Sequence, residues 1–347
     1  MKRALAFLMV LVMGLSLLCG CGTQTDTNQG TGDNAGDEAV VLKLGVTTNQ
    51  TAVHYTSSAA FGEELQKVSG GKMSLQIISD GALGTVAQHF AQLKAGTLDC
   101  FVTGVSDAEI LQGGNDFGVM CTPFLFTSQD HYEKFIDSDV FANMMGKVED
   151  ANGVKFVGET CMNFPRGLNT KMPVYALNDM KGVKIRVSNN PIYLTAWDVL
   201  GATPVTVDGS PYMAVEQGLA DAQENDIVLS ISIGCTEVCP YYMQTEYVYQ
   251  SLGLYMSQTT WNQLSDTQRG WISEALAASK DAFTAQLFAS MDETVAKAEA
   301  EGGLTVIPKE EIDIESFRVP IAENIERIAE AEGFDVTLYD QIKNLAE

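Results

Sequence analysis

Histidine is scarce in this chain of 347 residues, with only His54, His89 and His131, all far apart. No H-E-x-x-H pattern occurs, which argues against a histidine-built catalytic metal site. Positive charge is also scarce: Lys+Arg number 21 against 45 Asp+Glu, for a formal net charge of −24. Without a basic surface to neutralise phosphates, nucleic acid is excluded as a partner. No G-x-S-x-G elbow is present. Around Gly71 and Lys72 the phosphate-loop pattern fails, because Gln66 and Met73 stand where Gly and Ser or Thr are required. No cofactor motif remains. The chain is 46% hydrophobic and 19% charged, a balance that fills cores and fits neither disorder nor a multi-span membrane protein.

The amino terminus has the layout of a processing signal. Lys2 and Arg3 precede an apolar run from Ala4 to Leu18, shorter than the ~20 residues that a spanning helix needs. Leu18, Cys19, Gly20 and Cys21 then resemble a bacterial lipobox, with Cys21 as the first mature residue and the site of lipid attachment. Two or more acyl chains there suffice for stable anchoring at the outer face of the cytoplasmic membrane. Residues 22–39 contain almost nothing apolar and are expected to form a tether. Beyond them five cysteines remain (Cys100, Cys121, Cys161, Cys235 and Cys239), an odd number that excludes a complete disulfide framework. Cys235 and Cys239 are left as free thiols or as one local disulfide; two cysteines make a poor zinc site.

From Val40 the pattern is α/β, repeated twice. Leu42, Leu44 and Val46 alternate in a strand, and Phe61, Leu65 and Val68 share a helix face that Gly70 ends. A strand over 74–79, a helix over 86–95 and a strand over 98–103 complete a βαβαβ unit. A second round starts with a strand at Lys184–Val187, a helix with Pro191 in its first turn and a strand at 204–207. A helix over 210–219 and a strand at 221–224 close it. Two such halves imply two lobes with a ligand cleft at the carboxyl ends of the strands. Between Ser265 and Gly302 there is no proline, and Ser265 with Gln268 forms a capping-box pattern. One helix there would be on the order of 50 Å long and brace both lobes; two helices with a kink near Ser279 are the alternative.

Several segments then carry a family resemblance. Asp179–Val187 (DMKGVKIRV), Gly201–Pro204 (GATP) and Gly218–Asn225 (GLADAQEN) resemble the solute-binding subunits of tripartite ATP-independent periplasmic (TRAP) transporters. Gly81–Gly84, Leu93–Asp99 and Pro123–Phe126 fit the same family in order. The resemblance implies a periplasmic-binding-protein-like fold, with residues 40–163 and about 252–291 in lobe I and 164–251 and about 292–347 in lobe II. It also implies a monomeric, non-catalytic receptor that closes on a small organic acid. This receptor would pass the acid to a small and a large membrane subunit driven by an ion gradient. A secreted enzyme or a signalling receptor domain on the same fold is the alternative.

Site residues follow from motif and chemistry together. Arg186 ends the KIRV strand, and its guanidinium offers parallel donors to a carboxylate just ahead of a helix start at Asn189 and Asn190. The resemblance makes Arg166 a second cleft arginine and Asn225 a ligand-facing amide. Thr48 and Asn49 follow the first strand, Gln88 stands where relatives often carry Glu, and Trp197 and Tyr212 are aromatics that serve either core or ligand. Glu224 reads as structural. Asp208 stands in a segment one residue shorter than in many relatives, and Asp226 replaces the usual Pro after the QEN triplet, so the identity of the acid is not carried over.

Overall fold

The computed structural model describes residues 39–207 and 209–346. Cys21, the signal segment, the tether up to Glu38, and Asp208 lie outside them, so the expectations placed there are not addressed by the structure. The described chain is α/β with two sheets. Five strands make the first: β1 (Val40–Gly45), β2 (Met73–Ile78), β3 (Cys100–Gly104), β4 (Val154–Met162) and, from later in the chain, β10 (Ser251–Ser257), in the order β2-β1-β3-β10-β4. The second contains β5 (Arg166–Thr170), β6 (Lys184–Arg186), β7 (Thr203–Val205), β8 (Ala222–Asn225), β9 (Tyr241–Val248) and β11 (Thr305–Ile307), in the order β11-β9-β5-β8-β6-β7.

The first sheet grows from the alternation visible in sequence. Leu42 and Leu44 are fully buried on β1, which pairs in parallel with β2 from Val40↔Met73 to Gly45↔Ile78. Gly45 is required where it stands: a Cβ there would meet the His89 ring at 2.5 Å. The helix Val86–Ala95 that carries His89 opens with a capping box at Thr85 and Gln88 and stops at Gly96 in the left-handed region (φ 69°). The preceding helix runs Val53–Val68 and starts earlier than the apolar spacing suggests. Its N-cap, Ala52, makes no side-chain cap, so nothing in the sequence marks that end.

Two short crossings join the sheets. β4 passes into β5 through Asn163, Phe164 and Pro165, and β9 passes into β10 through Tyr249 and Gln250. The 35-residue helix Asp266–Ala300 is unbroken, which settles the choice between one helix and two. Ile272, Ala275 and Leu276 of its first half sit in the core of the first sheet. Met291, Val295 and Ala298 of its second half pack with Ile227, Tyr242 and Leu304 beside the second. It therefore spans both lobes.

One expected boundary is corrected. Residues 292–347 do not stay together with the second sheet. β11 and the helix Ile314–Glu323 lie on that side, whereas Thr337–Lys343 packs against the helix Asp139–Asn152, and His131 Nε2 meets the Ile342 carbonyl at 2.8 Å. The carboxyl-terminal segment thus crosses back to the first lobe. The helices expected here are apolar on one face, but that pattern does not say which sheet they cover.

Candidate ligand-binding cleft

Strand direction decides which ends of the sheets meet. β1, β2, β3 and β4 are parallel to one another, with β10 antiparallel between the last two, so their carboxyl ends and the start of β10 share one edge. In the second sheet the carboxyl ends of β6, β7, β8 and β9 and the start of β5 share one edge in the same way. Crossings of three and two residues connect these edges, and so few residues span no more than about 14 Å. The edges therefore face each other across a cleft. Thr48, Asn49 and the segment Val105–Ile110 border it from the first lobe; Arg166, Arg186 and Asn225 border it from the second.

Arg166 is engaged through Nε and Nη2. Its Nε donates to Glu224 Oε2 at 2.6 Å, and its Nη2 donates to the Glu224 carbonyl at 3.1 Å and to Asn225 Oδ1 at 2.9 Å. The side chains are 12% and 0% exposed, and the Tyr193 ring lies 5.7 Å from the guanidinium. Burial opposes the charge on Arg166, but Glu224 first, with Tyr247 and Tyr193 beside it, holds the guanidinium protonated. Glu224 is itself saturated: the Tyr247 hydroxyl donates to Oε2, and the Ser188 backbone N–H donates to Oε1 at 3.1 Å. Burial and then Glu224 push the Tyr247 phenol well above its ordinary range. Gly167 makes room for this packing, since a Cβ there would meet the Tyr242 hydroxyl at 2.5 Å.

Arg186 stands at the same edge in a different condition. It is half-buried, opposite Gln223 in the β6–β8 register. Its Nε is buried without a hydrogen-bond partner, and no carboxylate among the described residues pairs with it. Cys235 lies near: burial raises its thiol to about 11, and the Arg186 charge works against that rise. Cys235 and Cys239 are both free thiols here. Asn190, next after Asn189, caps the helix Pro191–Val199 by accepting from the Ile192 and Tyr193 N–H groups at 2.8 and 3.3 Å. Asn189 itself is exposed.

The other candidates divide. Thr48 Oγ1 is buried without a partner among the described residues, at the carboxyl end of β1. Asn49 Oδ1 accepts from the Thr51 N–H and hydroxyl at 3.0 and 2.8 Å, an Asx turn that leaves its amide nitrogen open. Tyr212 is half-buried with its ring against Gly234. Gln88 and Asn225 are engaged within the protein, and Trp197 takes the core alternative. Trp197 is 0% exposed and packs edge-on against Tyr247, 5.7 Å between ring centres, so it is a core residue behind the site. Gln88 is exposed and spends its Oε1 on the Thr85 N–H at 2.8 Å, so it caps a helix. Asn225 is buried, with Oδ1 taken by Arg166 and Nδ2 donating to Gln223 Oε1 at 2.7 Å, so it holds the network together. Asp226, in place of the family proline, caps the helix Ile227–Ser232 through the Leu229 N–H.

Tyr247 was not singled out from sequence; an alternating strand gives no sign of which tyrosine reaches a carboxylate 23 residues earlier. A separate concavity of about 330 Å3, lined by Thr170, Lys171, Val183 and Asp221, lies at the opposite ends of the same strands. There the Lys171 ammonium is already held by the Val215 and Ala220 carbonyls at 3.1 and 3.3 Å, so it offers less to an anion than Arg186 does. Among the described residues no group of three or more His, Cys, Asp or Glu is placed to hold a metal, and no helix is long and apolar enough to cross a membrane.

Comparison with known proteins bears on this arrangement. The family described as "Bacterial extracellular solute-binding protein, family 7" matches residues 44–332. The solute-binding protein RD1_1052 of Roseobacter denitrificans is 26% identical over 267 residues, 76% of this chain and 81% of that one. Its crystal structure, described as a TRAP periplasmic solute-binding protein with bound L-galactonate, superposes with a TM-score of 0.69 at 22% identity and covers 89% of this chain and 99% of that one. The 2,3-diketo-L-gulonate-binding periplasmic protein YiaO of Escherichia coli is 26% identical over 268 residues, 77% of this chain and 80% of that one. A TRAP periplasmic solute-binding protein of Escherichia fergusonii, described as apo and open, superposes with a TM-score of 0.78 at 19% identity, covering 88% and 99%.

Proposed function

Because the chain belongs to the bacterial extracellular solute-binding proteins of family 7, we propose that it captures a small organic acid in the cleft between its lobes, with Arg186 as the carboxylate clamp. The observation that carries this reading is the contrast at one sheet edge. Arg166 is neutralised by Glu224 at 2.5 Å, whereas Arg186 has no acid among the described residues. A half-buried guanidinium with an orphaned N–H is costly unless a ligand completes it. Among the described residues that border the cleft, Arg186 is the one cation without an acid, which matches one carboxylate, so the ligand is a monocarboxylate. Thr48, Asn49 and Asn189 near the cleft edges suit a hydroxylated acid. L-Galactonate and 2,3-diketo-L-gulonate, named for the relatives, are hydroxylated acids with one carboxylate each.

Binding is followed by closure of the lobes and delivery to the membrane subunits of a TRAP transporter, coupled to an ion gradient. The protein acts as a monomer held at the outer face of the cytoplasmic membrane through lipid on Cys21 and the polar segment 22–39. It performs no catalysis. A thermal-shift screen of aldonates, uronates and short mono- and dicarboxylates tests the ligand class. A monocarboxylate at about 100 times its Kd adds about 2.7 kcal/mol of stability. Shifts confined to neutral sugars, cations or dicarboxylates contradict the reading.

A further inference from the structure

Among the described residues three non-glycine positions have left-handed backbones: Asp80, Phe124 and Glu246, at φ 61°, 61° and 47°. Asp is among the residue types that tolerate this region; Phe and Glu are not. These two converge at one place. Phe124 belongs to the first lobe, in the segment between Cys121 and the helix Gln129–Ile136, and its N–H donates to the Tyr247 carbonyl at 2.6 Å. Its ring is 2% exposed, 6.0 Å from the Tyr247 ring and 5.5 Å from Phe317. Glu246, the neighbour of Tyr247 on β9, accepts from Lys309 Nζ at 2.6 Å and from the Tyr249 hydroxyl at 2.5 Å. Lys309 follows β11 of the second lobe, and the same ammonium reaches across to the Thr127 carbonyl of the first at 3.2 Å.

We propose that this seam is a latch holding the two lobes in the arrangement seen here, with Lys309 as its tie and the left-handed backbones of Phe124 and Glu246 as its stored strain. Backbones of this kind persist only where surrounding contacts over-determine them. Here the contacts come from the opposite lobe for Phe124, and from the residue that ties the lobes for Glu246. The seam adjoins Tyr249 and Gln250, one of the crossings where rotation between lobes must be absorbed by a few residues. Rotation that parts Lys309 from Thr127, or Phe124 from Tyr247, removes what holds the strained pair and lets both relax. Two arrangements of the lobes are thereby separated, each with its own backbone at the seam.

The test uses no ligand, so its outcome is independent of whether Arg186 binds a carboxylate. Spin labels are placed by Ala87→Cys and Met213→Cys. Both positions are exposed, and each lies on a helix that leaves the cleft edge of its own lobe. The described native cysteines are all buried, and the parent chain taken through the same labelling gives the background. Distance distributions are recorded for the labelled protein and for Lys309→Met, Glu246→Gln, Phe124→Ala and Phe124→Gly added to it. Lys309→Met and Glu246→Gln should raise the ratio of other label distances to the one seen here by about fivefold or more, the loss of one charge-assisted bond. Phe124→Ala and Phe124→Gly both lose the ring, but only glycine accepts the left-handed backbone freely. The glycine variant should therefore hold the arrangement seen here more firmly than the alanine variant. Unchanged distributions for Lys309→Met and Glu246→Gln overturn the tie; a glycine variant indistinguishable from alanine overturns the strain.

Discussion

Arg166 and Arg186 stand at one edge of one sheet, and each fits a motif that points to carboxylate recognition, yet their surroundings are opposite. Arg166 is enclosed with Glu224, Asn225 and Tyr247, with Nε and Nη2 bonded and its charge balanced by Glu224. Arg186 has no carboxylate partner and an orphaned Nε among the described residues. What separates them is a partner supplied by β8 and β9, and residue type alone does not reveal it. A saturated arginine builds a wall, and an unsaturated one beside it becomes the place where a ligand gains most by binding.

Substituting the two alike should break the comparison most sharply. Arg166→Met leaves the Glu224 carboxylate buried without its cation, and denaturant unfolding should show a loss of about 3 to 5 kcal/mol. A loss under about 1 kcal/mol would mean that the pair is not the keystone described. Tyr247→Phe removes only the hydroxyl donated to Glu224 and should cost about 1.5 to 3 kcal/mol in the same assay, as expected for a bond to a charged group.

A third group sharpens the contrast from the other side, being an acid without a cation. Glu109 has Oε2 buried without a partner among the described residues, and burial first, then Glu332 and Asp107, raise its carboxyl to about 7. Since the folded value lies above the unfolded one, the folded state binds the extra proton between about pH 4.5 and 7, and stability falls as pH rises through that window. Relative to Glu109→Gln, the parent should therefore lose a few degrees of Tm between pH 5 and pH 8. Parallel melting curves for the two proteins would remove the effect. The smallest change is expected at Arg186→Met, which deletes an unpartnered charge and should leave unfolding free energy within about 1 kcal/mol of the parent or slightly above it.

Much of the frame was legible because it rests on local chemistry. The alternation of Leu42 and Leu44, Pro191 at a helix start, the capping box at Ser265 and the place of Arg186 at the end of β6 all depend on neighbours within a few residues. What stayed hidden was long-range. Arg166 finds Glu224 58 residues later and Tyr247 81 residues later, and those pairings decide that Arg166, Asn225 and Trp197 join one buried network. The return of the carboxyl-terminal helices to the first lobe was hidden for the same reason: an apolar face announces burial without naming what covers it.

The proposed meeting of Arg186 with the ligand's carboxylate is tested most directly by calorimetric titration. Parent, Arg186→Ala and Arg186→Lys proteins are titrated with the monocarboxylate that gives the largest thermal shift. Loss of a desolvated, bidentate pair costs about 3 to 5 kcal/mol, so Arg186→Ala should weaken binding by at least roughly a hundredfold. Arg186→Lys should do nearly as badly, because an ammonium does not reproduce two parallel hydrogen bonds. Binding by Arg186→Ala as tight as by the parent would contradict the clamp, and with it the division of labour between the two arginines.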